Sequence, residues 1–268
     1  MGNIKIYDYE TDTLEFTFSY NPQIFDDDMD FNSEEVLMPF ERYHIIITKG
    51  GINPKMIVLD GHFSGTNKRE EFNNLAKVLS DGRIKKLYFS DDRFYLVIGK
   101  NLKQNNTGDR INFIQYTATL MTPISYIMSD TLKTGVYTSS WVQSAVNSGV
   151  TYSFIEKIKV ILSGSGSAST LVIKDNSNNG VSITVPAHSN NTELIIDMIK
   201  LDEMSGGTKV TKYFIPSINN NQLTSIRATN TNQKYLIIKP DENINTFEIS
   251  GSTGFHSIDF QFRDGYLG

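Results

Sequence analysis

Cysteine is absent from the 268-residue sequence, and tryptophan occurs only once. The absence of Cys excludes disulfide scaffolds, zinc sites built from thiolates and cysteine nucleophiles. Basic residues are in the minority, because 25 Lys and Arg face 30 Asp and Glu, which gives a formal net charge of -5 and a pI near 5.4. Nucleic-acid-binding domains rely on clustered basic side chains, so we expect no specific nucleic-acid binding.

Long hydrophobic segments are also missing. No apolar run approaches the roughly 18 residues of a membrane-spanning helix, so we expect no membrane insertion. The first residues, MGNIKIYDYETD, have no basic flank leading into an apolar stretch, and we therefore expect no signal peptide. Hydrophobic residues nevertheless make up 39% of the chain, which is enough to bury a core.

Composition changes along the chain. Residues 1–134 contain 15 basic and 19 acidic side chains, whereas residues 135–268 contain 10 and 11. The second half instead has runs of Ser, Asn, Thr and Gly between β-branched segments. The chain length suits two domains. We therefore predict one domain over 1–134, a second over 135–268, and a join between 129 and 140.

The first half is predicted to be mixed β with one helix within residues 67–81, its body running from Lys68 to Ser80. Asn67 and Glu70 have the spacing of a capping box, and Gly82 is placed to end the helix in a left-handed conformation. An apolar stripe with helical spacing should pack on a sheet. Its members are Phe72, Leu75, Ala76 and Leu79. The opposite face should stay polar: Arg69, Glu70, Asn73 and Lys77. Predicted strands are 14–19, 43–48, 55–63, 85–89, 92–100 and 111–121.

The second half is predicted to be a β-sandwich or jelly roll. Residues 152–162 alternate apolar and polar side chains, as half-buried strands do. Residues 170–174 and 181–185 flank a turn that ends in Asn179-Gly180, which indicates a hairpin. With the further segments, about nine short strands indicate antiparallel sheets. Those further segments are 193–199, 210–215, 225–230, 234–240, 246–250 and 257–263.

Two acidic segments were tested against calcium-binding templates. The run Asp26 to Asp30 lacks the Gly turn and the closing Glu of a Ca²⁺ loop, which favours a solvated or partner-facing loop over a divalent-cation site. The segment Asp175 to Gly180 begins like an EF-hand loop, but Pro186 stands where the closing Glu is required. We therefore expect a turn there, and we expect no metal site and no cofactor in the chain.

Templates for catalysis also fail. The segment Ser163 to Ser167 precedes a strand rather than a helix, so it is a flexible loop rather than a phosphate cradle. No GxSxG elbow and no HExxH pair is present. The four histidines occur singly: His44, His62, His188 and His256. We accordingly expect no catalytic residues and no enzyme.

Trp141 is the one residue that is a candidate for ligand or partner contact. An exposed indole can stack on a sugar or anchor a protein partner, whereas a buried one fills a core or a domain interface. A single Trp without companion aromatics favours the core. The contact to a sugar or partner remains the alternative.

Two groups of segments resemble siphophage distal tail proteins. The first group matches the N-terminal domain of that family in order and type: Leu59 to Gly65, the helix with Phe72 and Leu75, Lys86 to Phe89, Phe94 to Gly99, and Phe113 to Pro123. The second group is similar to its second domain: Glu193 to Asp197, Phe214 to Ser217, Phe247 to Gly251, and Ile258 to Leu267, which ends in Arg263-Asp264-Gly265-Tyr266-Leu267. The segment Asp202 to Gly207, expected to be a loop, lacks the family's long polar arm, and no inserted sugar-binding module fits.

The resemblance implies a mainly β structural protein of a bacteriophage virion. Its N-terminal domain would be split β-barrel-like with one helix, and its C-terminal domain a galectin-like or jelly-roll β-sandwich. Implied partners are further copies in a homo-hexameric ring, the tail tube protein, the tail-tip hub protein and the receptor-binding protein. The protein would act at the tail tip after assembly in the host cytoplasm. The alternative function is a carbohydrate-binding adhesin that recognises host cell-wall sugars through the C-terminal sandwich.

Overall fold

The structure is a computed structural model, and the fold is given for the residues that it describes. These are 3–27, 36–37, 44–45, 55–105, 112–124, 126–137, 147–150, 153–163, 171–176, 181–185, 193–205, 208–213, 217–218, 221–222, 224–226, 236–238, 240, 247–251 and 254–267. Several predictions fall wholly or partly outside this set. They include Trp141, the end of the Asp26 to Asp30 run, residues 164–167 of the loop that begins at Ser163, residues 177–180 of the predicted turn, and parts of the predicted strands 43–48, 210–215, 225–230 and 234–240.

The described chain is mainly β with one α-helix, as the sequence predicts. Its elements, in chain order, are β1 (Lys5–Asp8), β2 (Leu14–Thr17), β3 (Gln23–Asp27), β4 (Val36–Leu37), β5 (His44–Ile45), β6 (Lys55–Ser64), α1 (Lys68–Leu79), β7 (Lys85–Tyr88), β8 (Arg93–Gln104), β9 (Phe113–Thr122), β10 (Tyr126–Tyr137), β11 (Ser153–Ser163), β12 (Leu171–Asp175), β13 (Val181–Val185), β14 (Glu193–Asp197), β15 (Lys200–Ser205), β16 (Thr208–Tyr213), β17 (Ser217–Ile218), β18 (Asn221–Gln222), β19 (Thr224–Ile226), β20 (Ile237–Ile238), β21 (Phe247–Gly251) and β22 (Gly254–Leu267).

The chain separates into two compact units. Unit 1 contains the described residues up to 130, apart from β4 and β5, and unit 2 contains residues 131–266 together with β4 and β5. The change of unit falls inside β10, a strand that the sequence analysis did not predict. The assignment of separate domains to 1–134 and 135–268 stays a prediction.

Unit 1 is organised around β8. The first half of β8 pairs with β7, and its second half pairs with β9, both antiparallel. From β7 the pairing continues to β1 and β2, and from β9 it continues to β6 and β3. The register between β8 and β9 shifts after Gly99, which marks a bulge in β8. Aromatic side chains contribute much of the interior: Phe16, Phe18, Phe63, Phe94, Tyr95, Tyr116 and Tyr126.

Helix α1 packs its apolar stripe only in part. Leu75 and Leu79 are buried, as expected, but Phe72 and Ala76 are only half-buried. The expected capping box is not formed, because no side-chain hydrogen bond caps the helix. Asn67 has φ -93° and ψ 5°, outside the extended conformation from which a cap residue reaches the first helical N–H groups.

The C-terminal end of α1 lies directly against β8. A side chain at Gly99 would place its Cβ 2.1 Å from the carbonyl oxygen of Leu79, so only glycine permits this approach. Gly82 has φ +71° and turns the chain back after the helix, as its position predicts. Gly65, just before the helix, is also left-handed with φ +85°. Among the described residues, no helix has the length and apolar character needed to cross a bilayer.

Unit 2 contains two larger antiparallel groups of strands that share one hydrophobic cluster. In the first group β11 lies between β14 and β22, and in the second β12 lies between β13 and β21. Inward-facing aliphatic side chains of both groups belong to the cluster, as two packed sheets require. The predicted hairpin is confirmed, since β12 and β13 pair from Leu171↔Val185 to Asp175↔Val181. The galectin-like arrangement remains a prediction.

Two segments expected to be loops contain strands. Residues 202–205 belong to β15, which pairs with β16 from Lys200↔Tyr213 to Ser205↔Thr208. A two-residue Gly-Gly connection is typical of such a hairpin, and the sequence analysis overlooked it. Asp26 and Asp27 end strand β3, where they pair with Ile57 and Met56, so the first part of the acidic run is not a loop.

Candidate interaction surfaces

The C-terminal motif Arg263 to Leu267 lies in β22, where its charged side chains form ion pairs inside unit 2. Arg263 Nε lies 3.1 Å from Glu156 Oε1 on β11, and both side chains are nearly buried. Asp264 Oδ2 lies 2.8 Å from Lys133 Nζ on β10. Asp264 Oδ1 also accepts a hydrogen bond from the Ser148 amide, at 2.9 Å. The motif therefore joins β22 to its neighbours.

Gly265 completes this arrangement through its backbone. The Val150 amide donates to the Gly265 carbonyl oxygen at 2.9 Å. A Cβ at Gly149 would lie 2.0 Å from the same oxygen, so a side chain at 149 does not fit. The motif that supports the resemblance thus fixes residues 147–150 on β22 and is part of the fold rather than an exposed site.

The segment that resembles a calcium loop also has a structural role. The Asp175 side chain is buried, and its Oδ2 accepts a hydrogen bond from the Ile237 amide at 3.0 Å. Asn176 Nδ2 lies 3.4 Å from Glu248 Oε2, which also binds Lys174 Nζ at 3.0 Å. Within the described ranges, no three His, Asp or Glu side chains lie close enough together to hold a metal ion.

Unit 1 contains a cluster of charged residues around the fully buried Lys85. Its Nζ lies 2.5 Å from Asp81 Oδ2, 2.6 Å from Glu15 Oε2 and 3.5 Å from Asp8 Oδ2. The Arg83 guanidinium reaches the same three carboxylates at 2.9 to 3.4 Å. Each of the three carboxylates therefore forms ion pairs with both cations. Because the charged groups pair with one another, we assign the cluster a structural role.

Asp8 is the most buried carboxylate of this cluster. Its Oδ1 accepts hydrogen bonds from the amides of Glu10 and Thr11, at 3.0 and 2.9 Å. Burial by itself raises the pKa of Asp8, but the bonds from Thr11 and the charges of Arg83 and Lys85 outweigh it and lower the pKa below the usual value. The carboxylate is therefore held in its charged form.

A shallow groove on unit 1, called the aromatic groove below, is lined by polar and aromatic side chains and measures about 570 Å³. The His62 ring lies between Tyr20, at a centroid distance of 5.0 Å and 23° between the ring planes, and Phe113, at 6.1 Å and 76°. The lining residues are Asn21, Gln23, Asp60, Gly61, His62, Phe113 and Gln115.

Strand register explains why these residues meet. On β6, residues 60 and 62 point to the same face because side chains alternate along a strand. Pairing places Gln23 beside Asp60 and Gln115 beside His62. Tyr20 lies in the connection between β2 and β3. A hydrogen bond from Ser19 Oγ to the Glu71 carboxylate attaches this connection to helix α1.

Tyr116 packs beneath Gly61, one of the residues that line the groove. Its ring is fully buried and stacks on Phe63 at 4.7 Å. A Cβ at Gly61 would lie 2.6 Å from the Tyr116 hydroxyl, so the ring occupies the space that glycine leaves. That hydroxyl has no hydrogen-bond partner among the described residues. Burial, and then the charges of Asp60 and Glu71, raise the pKa of Tyr116.

Unit 1 also presents two strand edges. Among the described strands, β2 pairs only with β1, and β3 pairs only with β6. Each edge strand carries a large hydrophobic side chain with about half of its surface exposed, Leu14 at 48% and Phe25 at 50%. Open edges with exposed apolar residues are sites where another chain can add.

Only some of the candidate residues predicted from the sequence lie at these surfaces. Of the candidates examined from the sequence, the structure places His62 in the aromatic groove and Asp175 in a buried hydrogen bond. Trp141 lies outside the described residues, so its contact stays a prediction. Tyr20 and Phe113 were not singled out, because only the strand register brings them beside His62.

Comparisons with known proteins gave matches among solved structures only. No family model and no curated protein matches the chain. The SPP1 Dit protein, described as a paradigm of the hub adsorption apparatus in phages that infect Gram-positive bacteria, matches with 13% identity, a TM-score of 0.49 and coverage of 98% of this chain and 99% of its own. A phage p2 baseplate structure in its activated conformation with Sr matches with 8% identity, a TM-score of 0.45 and coverage of 97% of both chains. The phage P2 baseplate with Ca matches with 8% identity, a TM-score of 0.40 and coverage of 78% of both chains.

Proposed function

We propose that this protein is a structural, non-catalytic component of a bacteriophage tail hub. The observation that carries the proposal is the pair of open edges of unit 1, β2 and β3, each with a half-exposed apolar side chain. The proposal also rests on the sequence resemblance to siphophage distal tail proteins, whose helix and C-terminal strand correspond to α1 and β22.

Ring formation follows from the edge strands. An unpaired edge offers backbone N–H and C=O groups to a second chain. Head-to-tail contacts between copies close into a ring when the rotation between them permits, and a closed ring leaves no free edge for fibre growth. The edges support ring closure, and the resemblance to siphophage distal tail proteins implies the subunit number and the domain fold. On that basis we propose a homo-hexameric ring built by the N-terminal domain, residues 1–134, with a split β-barrel-like fold.

The remaining partners follow from the same proposal. The galectin-like C-terminal domain, residues 135–268, would hold the tail-tip and receptor-binding proteins, and the ring would contact the tail tube protein. The protein would be a virion component at the tail tip after assembly in the host cytoplasm. The net charge of -5 suits protein partners better than DNA, because a negative surface does not bind phosphate strongly.

Oligomeric state tests the proposal directly. We expect the full chain at high concentration to form rings, measured by size-exclusion chromatography with light scattering and by electron microscopy of negatively stained particles. Phe25→Lys places a charge on the β3 edge and should reduce the ring population at least tenfold. Ile195→Lys is the matched control, because Ile195 is equally exposed but lies in unit 2. A strictly monomeric wild type that hydrolyses a glycan or peptide would overturn the proposal.

Trp141 has a separate test. A glycan array probed with the full chain and with Trp141→Ala distinguishes a sugar contact from a structural or protein contact. Saturable binding that the substitution removes would favour the adhesin alternative. Blank arrays would leave the hub as the function, whereas equal positive signals from both proteins would place any sugar contact at residues other than Trp141.

A further inference from the structure

The aromatic groove of unit 1 combines exposed rings with several fixed polar groups. Phe113 lines the groove, and Tyr20 stacks on the lining residue His62. Tyr20 is 49% exposed and Phe113 is 43% exposed, and His62 lies between them. We propose that the aromatic groove binds an uncharged saccharide, with Tyr20 and Phe113 packing against the C–H faces of sugar rings. The site does not include Trp141, but its lining residue Gln23 lies on β3, the strand whose edge the hub proposal assigns to ring contacts.

The rings provide the apolar part of the site. An aromatic side chain with half of its surface in water loses little conformational freedom on binding and gains contact area. Tyr20 and His62 are stacked, with 23° between their planes and 5.0 Å between their centroids, so His62 holds the Tyr20 ring in place and half of the Tyr20 surface stays open to a ligand. Phe113 meets His62 at 76° and so presents a surface in a different direction. A pyranose ring has a flat C–H face of matching size.

The polar lining provides the groups that sugar hydroxyls require. Amide side chains both donate and accept hydrogen bonds, and a carboxylate accepts several. Two of these groups are already oriented by the protein. Asn21 Oδ1 accepts from the Ile4 amide at 2.8 Å, and the Asp60 carboxylate accepts from Thr117 Oγ1. Prior orientation reduces the entropy lost when a ligand binds.

Charge decides between saccharide classes. No Lys or Arg is present among the described residues that line the groove, and Asp60 is the one carboxylate there. A phosphate-bearing or acidic polymer would meet a negative charge without a compensating cation, whereas a neutral sugar has hydroxyls that donate to Asp60. The lining therefore favours an uncharged saccharide over an anionic one.

The volume of the groove supports a small ligand. A volume of about 570 Å³ lies in the range of sites for compact ligands. The open, shallow shape suits one or two sugar units of a longer chain. A protein partner would need a larger and more apolar surface to bind stably.

Binding of neutral oligosaccharides tests the proposal. The probes are chitotetraose, maltotetraose, cellotetraose and galactotetraose, with glycerol-phosphate oligomers as the anionic comparison. Saturation-transfer NMR and calorimetry with the full chain should show saturable binding of at least one neutral probe and at least tenfold weaker binding of the anionic one. Tyr20→Ala and Phe113→Ala should each weaken the neutral interaction at least tenfold, whereas Tyr20→Phe should retain it.

Ile195→Ala is the control, because Ile195 is 53% exposed, lies in unit 2, and is neither a groove residue nor one of the edge residues proposed for the ring. Thermal melts should be unchanged in all four variants, since each residue is exposed. Absence of binding by every neutral probe at millimolar concentration overturns the proposal. So does binding that survives both Ala substitutions, tighter binding of the anionic probe, or cross-linking that places a second copy of the chain in the groove.

Discussion

The interiors of the two units are built in different ways. In unit 2, aliphatic and phenylalanine side chains from two groups of strands form one hydrophobic cluster. Ion pairs in unit 2 join β22 to the neighbouring strands β10 and β11. Unit 1 buries many aromatic rings and also Lys85 and Asp8, the two innermost members of its charged cluster. Burial of apolar surface is non-directional, whereas ion pairs and ring contacts depend on geometry.

This difference indicates where each unit is sensitive. Unit 2 should respond to the loss of volume, because close-packed apolar interiors relax poorly around a cavity. Unit 1 should respond to the loss of single charges, because a cluster that loses one cation leaves carboxylates without compensation. Hydrogen exchange measured by mass spectrometry shows in which unit the backbone amides of a variant lose protection.

The largest effect is expected for Phe260→Ala in unit 2. Phe260 is fully buried and stacks on Phe247 with centroids 4.8 Å apart. Removing the ring should lower the free energy of unfolding by about 3–5 kcal/mol. Urea unfolding measures this, with Ile195→Ala as the exposed control. Equal stability of the two variants would contradict the packing described for unit 2.

Lys85→Met should have the next largest effect and should act on unit 1. The change keeps the length of the buried side chain but removes its charge from three carboxylates, of which Arg83 can compensate only part. We expect a loss of about 3 kcal/mol in the free energy of unfolding. Adding Asp81→Asn to this variant should recover part of the loss, because it removes one of the unpaired charges. A double variant less stable than Lys85→Met would show that charge balance is not the reason.

Phe72→Ala is expected to have a moderate effect. Because Phe72 is only half-buried on α1, we expect a loss of about 1–2 kcal/mol rather than the cost of a core phenylalanine. Lys77→Ala, on the exposed face of the same helix, should change stability by less than about 0.5 kcal/mol. Thermal melts of both variants measure the difference. Indistinguishable melting temperatures would mean that the Phe72 side chain contributes nothing to the stability of unit 1.

The smallest effect is expected from Asp8→Asn, and it depends on pH. The pKa of Asp8 is lowered in the folded state, so its charge stabilises the fold above the unfolded value of about 3.9. That stability is lost as pH falls through the lower, folded pKa. Wild-type unit 1 should therefore lose stability from about pH 5 downward more steeply than Asp8→Asn, and the two unfolding free energies should converge in strong acid. Parallel curves from urea titrations at several pH values would contradict this.

Much of the fold could be predicted wherever local patterns determine it. The helix from Lys68, the hairpin around Asn179-Gly180 and the alternating strand β11 all follow from spacing within a few residues. By contrast, β10 has no alternating pattern beyond Thr131, where Leu132 and Val136 are exposed and are separated by Lys133, Thr134 and Gly135, so only its pairing with distant strands makes it a strand. The charge difference between the two halves suggested a join there.

The candidate surfaces were beyond prediction for a related reason. Lys85 meets Asp8 and Glu15 only because β7 pairs with β1, and β1 with β2. The aromatic groove similarly combines residues near 20, 60 and 113, which lie far apart in the sequence. No single segment carries a signal for either arrangement, and neither follows without the strand register.

The position of β22 has a consequence for folding during synthesis. This strand pairs with β11 on one side and lies next to β10 on the other, yet it is translated after every other described strand. Until residues 254–267 leave the ribosome, β10 and β11 each lack the neighbour that β22 supplies, although β8 and β14 are already available to them. The apolar residues that pack with Phe260 and Phe262 stay open to water in that interval. We therefore expect unit 1 to fold while translation continues and unit 2 to fold only after the last strand is released, which leaves unit 2 dependent on chaperones for that interval.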